Sequence, residues 1–109
     1  MNSKLFRGSL DTIIIKLLTE NPAMYGYEIT QHVKEITKGQ FTITEGALYP
    51  ALHRLEADGI LDTETKSIGN RYRKYYSLTE SGEKAAPQKM AEMEEFIKSL
   101  QLVLKPKLT

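Results

Sequence analysis

Cysteine is absent from the 109 residues of this chain. That excludes disulfides and thiolate-ligated metals, and it fits a reducing, cytoplasmic setting. Net charge is nearly absent too. A formal charge of +1, from 15 basic and 14 acidic residues, means that any affinity for a polyanion must come from where the charges sit. Long apolar runs are missing. Met1-Asn2-Ser3-Lys4-Leu5-Phe6-Arg7-Gly8 lacks the apolar stretch of a signal peptide, and Ile13-Ile14-Ile15 is cut by Lys16, so neither a leader nor a membrane span is expected. Groupings that do chemistry are scarce as well. His32 and His53 are the two histidines, and the acids lie mostly on the last segment. With no nucleophile beside a base, no carboxylate pair and no metal-ligand spacing, no enzyme, cofactor or metal is expected.

What is present is one domain's worth of apolar residues, 40% of the chain, in two different periods. Leu10, Ile13, Ile14, Leu17 and Leu18 fit one face of a helix, with Ser9 as its cap and Asn21-Pro22 as its end. Met24-Tyr25-Gly26-Tyr27 opens a second helix, in which Tyr25, Ile29, Val33 and Ile36 repeat at four, four and three, and Lys38-Gly39 breaks it. Phe41-Thr42-Ile43 then leads into a third.

The third helix is the distinctive one. In Thr44-Glu45-Gly46-Ala47-Leu48-Tyr49-Pro50-Ala51-Leu52-His53-Arg54-Leu55-Glu56, the residues Leu48, Leu52 and Leu55 form one inward ridge. The outward side groups Gly46, Tyr49, Pro50 and His53, small, flat and hydrogen-bonding residues suited to close approach rather than solvation. Thr44 is placed to cap the helix, Asp58-Gly59 to stop it, and Pro50 to bend or loosen its first turn.

After Gly59 the period shortens to two. Residues 60–66 and 71–78 read as strands around a four-residue turn, Ser67-Ile68-Gly69-Asn70. Residues 66–74 carry Lys66, Arg71, Arg73 and Lys74 with no acid, so the hairpin is expected to be basic toward its exposed end while Tyr76 and Leu78 anchor it. Thr79 caps a last segment, whose seam of Ala86, Met90, Met93, Ile97, Leu100 and Leu104, widened by Phe96 and Val103, exceeds what a small head can cover. Pro87 is expected to kink or break this segment near Ala86, leaving residues 88–104 as the firm helix.

The fold class expected is therefore mostly α with a small β-hairpin (α+β). It is a winged helix-turn-helix in residues 1–79 plus a C-terminal dimerisation helix in residues 80–109, within one compact unit. Four motifs sharpen this. Tyr25-Gly26-Tyr27-Glu28-Ile29, the stretch from Gly46 to Glu56, Gly59-Ile60-Leu61, and Arg73-Lys74-Tyr75-Tyr76-Ser77-Leu78-Thr79 together resemble the PadR family of transcriptional regulators over nearly the whole chain. The single short last helix resembles the smaller PadR subfamily. The resemblance implies a homodimeric cytoplasmic repressor that binds double-stranded DNA and is released by a small effector, and a two-fold dimer through the last helix would make its operator a pseudo-palindrome. One departure stands out. The multidrug-sensing branch stacks flat ligands on a tryptophan of the last helix, whereas this chain has none and places Met93 there, an adaptable lining instead.

On this reading the DNA-facing set is Tyr25, Thr44, Gly46, Tyr49, Pro50, His53, Arg54, Asn70, Arg71, Arg73 and Lys74, with the third helix in the major groove and the wing along the backbone or minor groove. The dimer seam is Met90, Met93, Phe96, Ile97, Leu100, Val103 and Leu104. Met90, Met93 and Phe96 are the candidates for contact with a small aromatic or apolar effector. A protein-binding winged helix would lack the basic hairpin and show an apolar outer face on the third helix; this sequence has the reverse pattern.

Overall fold

Local signals account for most of the elements in the computed structural model, which describes residues 9–106. The apolar repeat from Leu10 closes into helix α1, Leu10–Glu20, with Ser9 at its N-cap position and Ile14 and Ile15 sealed from solvent. Asn21 ends it in an extended conformation before Pro22, and its side-chain amide donates to the Leu17 carbonyl at 2.8 Å. Helix α2, Gly26–Ile36, buries Ile29 and Val33 and stops where Lys38 and Gly39 adopt positive φ. Ile36 departs from the expected seam and is exposed.

Tyr25 does not begin α2. Met24–Tyr25 forms a short strand, β1, pairing Met24 with Tyr76 and Tyr25 with Tyr75. Two residues are too few to leave a period in the sequence. Helix α3 is Glu45–Ala57, capped by the Thr44 hydroxyl, which accepts the Ala47 N–H at 3.2 Å. Leu48, Ala51, Leu52 and Leu55 form its buried ridge. Strand β2, Leu61–Ile68, and strand β3, Arg71–Leu78, pair from Leu61 with Leu78 out to Ile68 with Arg71. The turn is thus Gly69-Asn70, two residues and not four. Gly69 at φ +61 supplies the positive φ at the first turn position that suits the right-handed twist of a tight hairpin. The sheet is antiparallel in the order β1-β3-β2.

The last helix, α4, is one element from Glu80 to Leu104. Of the kink or break expected near Ala86, the break is absent, and α3 likewise runs through Pro50. Each proline removes one N–H, orphaning the carbonyl four residues earlier, Gly46 or Glu83. All four residues are exposed, so water can take the free carbonyls. Thr79 caps α4 by accepting the Gly82 N–H at 3.0 Å, and Gly82 lies so close to the Ile60 carbonyl that a Cβ would overlap it. The far end of α4 runs past the core. A radius of gyration of 15.7 Å, against about 13 Å for a compact chain of this length, reflects that projection. No helix among the described residues is long and apolar enough to cross a membrane.

Tyr76, 1% exposed, belongs to the buried core cluster and lies opposite Met24 across the sheet. Burial raises its phenol above the ordinary value, with the Glu56 charge acting in the same direction. The folded state therefore favours the neutral phenol, and that contribution is complete below the unfolded value, about 10, and lost as pH rises through the folded one. The expected outcome is a thermal midpoint that falls above about pH 10 in the wild type and more shallowly in Tyr76→Phe. Equal slopes in the two proteins would remove Tyr76 as the cause.

Candidate nucleic-acid interface

The outward residues of α3 meet the wing and the start of α2 in one cleft. Tyr49 is 37% exposed, and its ring lies 6.5 Å from that of His53, one turn on, tilted by 44°. Its hydroxyl reaches the first residue of α2, where a Cβ on Gly26 would stand 2.5 Å from the oxygen. Glycine is needed there for space. Tyr25, Gly26, Tyr27, Tyr49, His53, Tyr72, Arg73, Lys74 and Tyr76 line the cleft, of about 310 Å³. Thr44, Gly46 and Pro50 are exposed on α3 outside it, and open space surrounds Gly46.

The wing cations differ in their settings. Arg73 lies over the Tyr25 ring at 4.5 Å, Lys66 over the Tyr75 ring at 5.0 Å, and Tyr25 meets Tyr75 edge to face at 5.5 Å. The short strand β1 thus supplies the ring on which Arg73 rests. Lys74 projects from the opposite face of β3 and pairs with Glu56 of α3 at 3.7 Å. Arg73 and Lys74 are therefore mid-strand and partnered, and Asn70 and Arg71 mark the exposed end. Arg54 is set apart: it donates to Asp11 of α1 at 2.5 Å, and that hydrogen bond, followed by the Asp11 charge, raises its pKa further above its ordinary value.

Two exposed rings escaped the sequence reading, Tyr27 and Tyr72. Tyr72 could have been found by stepping back in twos from Tyr76, which puts it on the same strand face near the tip. The assembled surface offers flat rings, guanidinium and ammonium groups and a helix with small outward residues. Such a set can stack on sugars and bases and bind phosphates.

A second surface lies on the other side. Beyond Met90, which packs partly on the core, α4 exposes Phe96, Ile97, Leu100, Leu102, Val103 and Leu104. Leu102 is an addition to the seam expected from the sequence. Met90, Met93, Phe96, Ile97 and Leu100 face Ile13, Leu17, Ile36 and Phe41 across a groove of about 1100 Å³.

The sequence pattern described as "Transcriptional regulator PadR-like family" matches residues 14–88. A transcriptional regulator of Mycobacterium tuberculosis is 34% identical over 77 residues, 71% of this chain and 69% of that protein. A protein of Lysinibacillus sphaericus is 36% identical over 83 residues, 75% of each chain. The solved structure of a transcriptional regulator from Clostridium thermocellum superposes with a TM-score of 0.84 at 35% identity, covering 96% of this chain and 99% of that one.

The contact between Gly26 and Tyr49 is testable by a double-mutant cycle. Gly26→Ala should lower stability by about 1–2 kcal/mol, because Tyr49 must swing away, and should be close to neutral in a Tyr49→Ala background. Urea unfolding of the four proteins reads the coupling. Strictly additive effects would mean that Tyr49 does not pack where it is placed.

Proposed function

Because this chain belongs to the PadR-like family of transcriptional regulators, we propose that it is a homodimeric cytoplasmic repressor that reads a pseudo-palindromic operator. The DNA-binding head lies within residues 1–79 and the dimerisation helix, α4, within residues 80–109, and the chain acts by binding, without a catalytic step. The observation that carries this reading is the convergence of the Tyr49 and His53 face of α3 with the wing residues Tyr72, Arg73 and Lys74 on one cleft. Thr44, Tyr49 and His53 contact bases or the adjacent phosphates, Gly46 and Pro50 let the backbone approach, and Tyr25, Asn70, Arg71 and Arg73 hold the sugar-phosphate chain. Arg54 joins only by leaving Asp11.

Loss of a phosphate contact weakens all sequences alike. Arg73→Ala should reduce affinity for operator and random duplex together and flatten the salt dependence by roughly one unit of log–log slope. A salt titration that finds slope and affinity unchanged on both DNAs would remove the wing from the interface.

Dimerisation is supported by the exposed apolar end of α4, with Met93, Phe96, Ile97, Leu100, Val103 and Leu104 covered by a second copy about a two-fold axis. That arrangement sets two α3 helices about one DNA turn, roughly 34 Å, apart or a multiple of it. The groove beside Met90, Met93 and Phe96 is the place for a small apolar or aromatic effector, which releases DNA by favouring a dimer with another spacing. Leu100→Glu buries unpaired charge in both copies. The variant should sediment as a monomer or aggregate and lose tight operator binding, while a fully dimeric variant with wild-type affinity would overturn the assignment.

A further inference from the structure

At the C-terminal end of α3 one carboxylate serves both strands of the wing. Glu56, partly buried, accepts the Thr63 hydroxyl of β2 on Oε2 at 3.3 Å and pairs through Oε1 with the Lys74 ammonium of β3 at 3.7 Å. Lys74 in turn stands 5.6 Å from the centre of the Tyr76 ring and lines the cleft. The position is doubly unfavourable for an acid. A carboxylate in the last turn of a helix opposes the helix dipole, and one beside a phosphate-binding cleft repels the ligand. The pair is also about half exposed, so its contribution to stability is small.

We propose that Glu56 is a specificity-determining positioning residue, which fixes the wing to α3 through Thr63 and neutralises Lys74 so that sequence-independent attraction to phosphates stays low. The inference rests on the DNA-binding reading above. Random duplex can shift until a phosphate meets a freed ammonium, whereas DNA held by base contacts cannot. Releasing Lys74 therefore strengthens random binding more than operator binding and narrows the difference between them.

Glu56→Gln isolates the charge, because the amide oxygen can still accept from Thr63. Anisotropy titrations against salt should use the intact protein with two probes, a duplex selected from a random pool and an unselected duplex. The variant should bind the unselected duplex about fivefold more tightly at 0.1 M salt, with a slope steeper by about one, the size of one added phosphate contact. The ratio of selected to unselected affinity should fall, and the whole effect should vanish in a Lys74→Gln background. A merely structural role predicts instead that Glu56→Gln weakens both duplexes or leaves affinity and slope unchanged, and either result overturns the proposal. A wild-type chain without salt-dependent DNA binding would overturn the DNA-binding reading itself and this inference with it.

Discussion

Three elements meet at the backbone of Gly59 and Ile60, and their relative directions depend on how that short stretch is bonded. The Gly59 N–H donates to the Glu56 carbonyl at 3.0 Å and the Ile60 N–H to the Leu55 carbonyl at 2.9 Å, a helix stop that needs the positive φ of +75° at Gly59. The same two residues then serve the rest of the fold. The Ile60 carbonyl accepts the Thr79 N–H at 3.0 Å, the Gly59 carbonyl accepts the Thr79 hydroxyl at 2.5 Å, and Gly82 closes on Ile60 with no room for a side chain. The end of α3, the start of β2 and the start of α4 are thereby locked together, so a tilt of one would break bonds to the others.

That junction gives the two working surfaces a common frame. One side gathers the aromatic residues: the chain has six tyrosines, five of which line the cleft while Tyr75 packs edge-on against Tyr25. The groove along α4 has an apolar floor of Ile13, Leu17, Phe41, Met90, Phe96 and Leu100, with polar residues such as Lys16, Glu20 and Glu94 among its lining. Helix α1 lies between the two, its Ile13 and Leu17 facing the groove and its Asp11 holding Arg54 of α3. The arrangement separates a polar, ring-rich face from an apolar one, and a modest core supports both because α1, α3 and the sheet share one buried cluster.

The near-zero net charge becomes intelligible on this frame. Cations gather toward the tip of the wing, and two of the acids near them are committed: Glu56 to Lys74 and Thr63, Glu28 to the Tyr25 N–H at 3.3 Å. Positive charge is thus a property of one face and not of the particle. Fields of that kind fall off within about 10 Å at 0.1 M salt, so the proposed DNA contact would depend on close fit more than on long-range steering.

Much of the fold was legible residue by residue because helices, caps and hairpins are written in short-range spacing. The ridge of Leu48, Leu52 and Leu55, the Thr44 and Thr79 caps, the stops at Asn21 and Gly59, and the outward group of Gly46, Tyr49, Pro50 and His53 all follow from neighbours within a turn or two. So does the excess apolar seam after Met90. The family resemblance added the expectation of a repressor released by an effector. Strand β1 could not be read that way, since two residues have no period and Met24–Tyr25 becomes a strand only because Tyr75 and Tyr76 lie beside it. The same holds for the ring under Arg73, the glycine at Gly26, the carboxylate shared by Lys74 and Thr63, and Arg54 tied to Asp11, 43 residues away. Pro50 reads from local rules as a bend and Pro87 as a kink or a break, and exposed carbonyls open to water together with packing of the flanking turns let both helices continue. Periodicity and capping act within one element and are visible in sequence, whereas a side chain's partner across elements is set by how those elements dock, which only the tertiary structure decides.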